Sequence, residues 1–65
     1  MNRKVQIKDF YGKILGTVET LANGNKIIRD FYGKILGKYD SRLDVTRDFY
    51  GRIIARGDQS AMLLK

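Results

Sequence analysis

Apolar and polar residues alternate along Val5-Gln6-Ile7-Lys8, the period-two pattern of a strand with one face toward a core. The alternation breaks at Asp9-Phe10-Tyr11-Gly12. It resumes at Lys13 and runs to Leu21 as a return strand, in which Gly16 marks a bulge or a close backbone approach. Asn23-Gly24-Asn25 reads as a two-residue type of turn into a third strand, Lys26-Ile27-Ile28-Arg29. A fourth strand runs out through Lys38-Tyr39 to a polar turn at Asp40-Ser41-Arg42, Leu43 to Arg47 makes a fifth, and Arg52 to Arg56 a sixth. The pattern predicts an all-β chain: a meander of about six short antiparallel strands forming a closed or propeller- or barrel-like array. The tail, 59–65, reads as a strand or extended segment covering an open edge, with one helical turn at Ala61-Met62-Leu63-Leu64 as the other choice.

The breaks in the alternation are copies of one another. Asp9-Phe10-Tyr11-Gly12-Lys13-Ile14-Leu15-Gly16 returns unchanged as Asp30-Phe31-Tyr32-Gly33-Lys34-Ile35-Leu36-Gly37, and again, altered only conservatively, as Asp48-Phe49-Tyr50-Gly51-Arg52-Ile53-Ile54-Ala55. The chain is therefore one domain, 1–65, of three tandem hairpins at about 5–19, 26–40 and 44–58, with the tail after them. Asp at the first and Gly at the fourth position suit a type I turn followed by a left-handed residue, the usual three-residue hairpin connection. The Asp carboxylate is placed to accept the N–H two residues on, and Asp9 faces Lys13, Asp30 faces Lys34 and Asp48 faces Arg52. The doublets Ile14-Leu15, Ile35-Leu36 and Ile53-Ile54 imply apolar side chains on both faces of the sheet, since strand neighbours point opposite ways.

These tandem units resemble a group of small bacterial proteins described as β-flower proteins with a five-fold arrangement, and the resemblance covers about Val5 to Asp58. It implies a petal-like array of hairpins around an axis and brings no established activity. Three repeats do not divide into five petals, so the resemblance implies that several chains complete the symmetry.

Composition narrows the chemistry. The chain has no Cys and no His, which removes disulfides, most zinc, haem and iron–sulfur sites, and the commonest general base. The three turn Asp residues have a structural explanation, no serine sits in a nucleophile elbow, and the glycines do not form a phosphate loop. No catalytic, cofactor or metal residues are expected. Nor is a signal peptide or membrane span, so a cytoplasmic location is expected. Arg56-Gly57-Asp58 spells an adhesion tripeptide but reads as the end of a strand.

Two features point to partners. Phe10, Phe31 and Phe49, with Tyr11, Tyr32 and Tyr50, stand at central turn positions where polar residues are usual. Three explanations fit: the Phe rings fold back beneath their turns and cap the core, the rings pack on another chain, or they are stacking platforms for a ligand. Second, 13 Lys and Arg against 7 Asp and Glu leave a charge of +6 and a pI near 9.9. That balance suits nucleic acid, other polyanions or membrane surfaces, with Arg29, Lys34, Arg47 and Arg52 beside the aromatic turns as contacts. It also suits a solvated surface with edge lysines.

A chain of this size buries only ~60% of its unfolded surface and lacks staples, so self-association is expected to complete it. Tyr11, Tyr32 and Tyr50, or the tail residues Met62, Leu63 and Leu64, are the expected interface. The reading is a non-catalytic, self-associating β-repeat scaffold or interaction module, with a small basic binder of nucleic acid or another polyanion as the alternative.

Overall fold

The computed structural model describes residues 2–64, apart from the side chain of Ala61, so the expectations that touch Met1 and Lys65 lie outside the described residues. Six strands, β1 (Arg3–Lys8), β2 (Ile14–Thr20), β3 (Lys26–Asp30), β4 (Ile35–Asp40), β5 (Val45–Asp48) and β6 (Ile53–Arg56), form one antiparallel sheet in chain order. The sheet is open, with β1 and β6 as its two edges. Leu43, expected at the start of the fifth strand, lies instead in the 41–44 turn, where Asp40 Oδ1 accepts the N–H groups of Arg42 and Leu43 and Asp44 adopts a left-handed φ of 56°.

Each hairpin is built alike. The N–H of Gly12 donates to the Asp9 carbonyl at 3.0 Å and the N–H of Asp9 to the Lys13 carbonyl at 2.9 Å, with the same distances at Asp30 and Asp48. Gly12, Gly33 and Gly51 have φ of 84°, 86° and 85°, a left-handed backbone that only glycine adopts without strain. The connection at Asn23-Gly24 is not a two-residue turn. The N–H of Gly24 donates to Leu21 and that of Leu21 to Asn25, so the loop is Ala22-Asn23-Gly24 with the same bonding as the aromatic tips.

The doublets do not lie in the uninterrupted strand that the expectation of opposite faces assumes. In β1–β2 the register passes from Ile7↔Gly16 to Lys8↔Ile14, leaving Leu15 as an extra residue, and Leu36 and Ile54 are extra in the same place in the other hairpins. A bulge interrupts strict alternation, and Ile14 and Leu15 both line the groove beside the second tip.

The tail is a 3₁₀ helix, η1 (Ser60–Leu64), not a strand over an edge. It lies on the middle of one face, against β2, β3 and β4. The reason is a pair of notches. A Cβ on Gly16 would lie against a methyl of Leu64 and inside the Arg29 carbonyl oxygen; one on Gly37 would meet Leu63 and the Arg47 carbonyl oxygen. Glycine at both positions thus admits the tail leucines on one side and the neighbouring hairpin's backbone on the other. The third hairpin carries Ala55 at this position, on the edge strand β6, where no further strand follows. Ile28 and Leu64 form the buried centre, and the fully buried Thr46 hydroxyl donates to the Gly57 carbonyl and accepts from the Gln59 N–H, fastening the tail's start.

Candidate interaction surface

In a meander, alternate turns fall at the same end of the sheet, so the three Asp-Phe-Tyr-Gly tips form one row. Adjacent tips are two strands apart, about 10 Å. The row runs obliquely: Ile7, Gly16 and Asp30 share a rung, as do Ile28, Gly37 and Asp48, so each tip sits two residues below the last.

Every tip has its acid turned inward and its rings turned outward. Asp9 Oδ1 accepts the N–H groups of Tyr11 and Lys13 at 2.8 and 2.9 Å, and Asp30 and Asp48 repeat the arrangement. Burial tends to raise the Asp48 carboxyl, but the backbone N–H and side chain of Arg52, with the Tyr50 N–H, hold it below the ordinary carboxylate value. Of the three expected acid–base pairs, only Asp48–Arg52 closes as an ion pair among the described residues, at 3.1 Å. The Phe rings do not cap the core: Phe10 is 96% exposed, Phe31 63% and Phe49 59%. Among the described residues no second layer stands over the tips, so a ring at a central turn position projects past the sheet. Tyr11, Tyr32 and Tyr50 are exposed too, and each packs edge-on against its Phe with ring centroids 5.4–5.5 Å apart.

Around the rings stand cations. Lys34 and Arg52, two of the expected polyanion contacts, are exposed just past their tips, and Arg52 also lies over the Tyr50 ring at 5.7 Å. Arg29 and Arg47 are half-buried at the tip bases; the Nε of each is buried without a hydrogen-bond partner, and Arg47 Nη1 donates to the Gly51 carbonyl at 3.3 Å. Sequence reasoning left out Lys8 and Lys13, both exposed, which flank the first tip as their counterparts flank the others. The repeat alignment itself carried that signal. Between the first two tips lies an open groove of about 570 Å³, lined by Gly12, Lys13, Ile14, Leu15 and Phe31 among others.

The expected tail interface divides. Leu64 is buried and Leu63 half-buried over the glycine notches, so both serve the chain's own core, while Met62 is exposed. Of the exposed apolar residues that were not singled out as contacts, Val5 lies on the edge strand β1 and Ile53 and Ile54 on the edge strand β6, while Leu43 lies in the 41–44 turn. The described residues include no group of acids placed to hold a metal ion and no helix long and apolar enough to cross a membrane. No family model, curated protein or solved structure matches the chain.

Proposed function

We propose that the chain is a non-catalytic, self-associating β-repeat module, working in the cytoplasm, that presents its row of aromatic tips as a binding end. The observation that carries this reading is the row itself: six exposed rings on three tips of identical hydrogen bonding. An exposed apolar patch of this extent, built three times over with the same turn chemistry, is characteristic of an interaction surface.

Self-association is supported by the small core and the two open edges, with Val5 on one and Ile53 and Ile54 on the other. Copies meeting there side by side, in a closed array rather than an open stack, would multiply the number of tips facing one way. The tip row is less suited to a second copy, because two such rows face to face would oppose their lysines and arginines.

Gel filtration coupled to light scattering tests the assembly. The expected species is a small multiple of 7.5 kDa at high micromolar concentration, and replacing Ile53 and Ile54 by Lys is expected to return it to the monomer. A stable wild-type species near 7.5 kDa would refute self-association.

A further inference from the structure

We propose that the partner of the tip row is an anionic lipid bilayer surface, docked by insertion of the rings and held by the surrounding cations. The proposal rests on reading the tips as the binding end and supplies the chemistry of what they bind.

Three features of the row converge on a bilayer. The first is amphipathic composition at one depth: each tip offers a Phe, wholly apolar, beside a Tyr whose hydroxyl needs a wet neighbour. Aromatic side chains of this sort collect at the boundary between headgroups and hydrocarbon, where one end is apolar and the other polar. The second is charge. Each tip carries two cations, Lys8 and Lys13, Arg29 and Lys34, or Arg47 and Arg52, against one Asp whose Oδ1 is turned to backbone N–H groups. The tip end is therefore positive beneath its rings, complementary to an anionic surface and repelled by another copy of itself. The third is placement. The three tips lie along one oblique row, so with the strands inclined the rings of all three can reach a flat surface together. A groove that receives one ligand asks for enclosure; these rings are spread along a row and are 59–96% exposed, which a laterally extended partner satisfies better. The open groove beside Ile14 and Leu15 continues the apolar surface behind the rings of the first two tips.

The test is co-sedimentation of the full chain with vesicles, either of phosphatidylcholine alone or with about a third phosphatidylserine, read beside light scattering. The wild type is expected to sediment with the mixed vesicles and not with the neutral ones. Phe31→Ser with Tyr32→Ser, at an exposed tip, is expected to weaken binding about tenfold or more while circular dichroism and oligomeric mass stay unchanged. Lys34→Gln is expected to weaken it about fivefold, with a smaller loss at high salt. No sedimentation with the mixed vesicles overturns the proposal. So does sedimentation that the ring substitutions leave unchanged, which is adsorption by charge alone. Single-stranded oligonucleotide binding that the ring substitutions abolish, without vesicle binding, assigns the tips to nucleic acid and also overturns it. A ring variant that loses assembly instead fails the reading of the tips as a free binding end, which the scattering measurement shows separately.

Discussion

Asp58 joins three parts of the chain through one carboxylate. It pairs with Lys26 Nζ on β3, and its Oδ1 accepts the hydroxyl and N–H of Ser60, at 2.6 and 3.2 Å, at the start of η1. Burial would raise this carboxyl, but Lys26 and Ser60 outweigh it and hold it below the ordinary value of 3.8. The folded chain thus binds this proton less readily than the unfolded chain does. The stabilisation is present above that value and is lost as pH falls through the lower, folded one. Asp48 is shifted in the same direction and adds to the same acid limb. Asp58→Asn is therefore expected to lower the melting temperature at neutral pH and to flatten its decline on acidification, which thermal melts followed by circular dichroism across the acid range would show. Tyr39 has the opposite sense: its hydroxyl donates to Asp44 at 2.5 Å and its pKa is pushed up to about 12, so its contribution holds through neutral pH and is lost only in strong alkali.

At the scale of elements, what the sequence made legible was the backbone. Strand order, the three tips and the turn bonding follow from local chemistry: Asp accepts the next N–H groups, Gly turns left-handed, and the alternation marks the strands. What the sequence left hidden depended on residues distant in the chain. The tail has too few residues to show a period of its own, and its conformation is decided by the notches at Gly16 and Gly37, more than 20 residues upstream of it. Of the three explanations for the Phe rings, capping of the core fell for a related reason, since turn chemistry specifies how the backbone bends and not whether a second layer lies beyond it. The basic flanks of the tips were half legible, Lys8 and Lys13 being missed although the repeat supplied them. The tail's role gives a direct expectation. Leu64→Ala empties the notch over Gly16 and is expected to destabilise by about 2–5 kcal/mol in urea unfolding. Met62→Ala, one turn position away and exposed, is expected to change stability by less than about 0.5 kcal/mol.

For the whole molecule, the sheet has one face partly roofed by a five-residue helix, two open edges, and a positive, ring-bearing end. The edges are not equivalent to the joints inside the sheet. Where one hairpin meets the next, a glycine lets the following strand's carbonyl come close; the edge strand β6 carries Ala55 at the same place in the repeat. A neighbouring copy whose β1 met β6 would therefore need a joint of different geometry from the one by which β3 lies on β2, where glycine faces the Arg29 carbonyl. Ala55→Gly is expected to let the inner kind of joint form at this edge and to produce high-mass species that grow with concentration in light scattering; a variant of wild-type mass at every concentration would refute this. The same residue bears on how such a chain lengthens over generations. Tandem duplication of the last hairpin would copy the alanine as well, so its joint to a fourth hairpin would match the two inner joints only after the inner copy mutated to glycine.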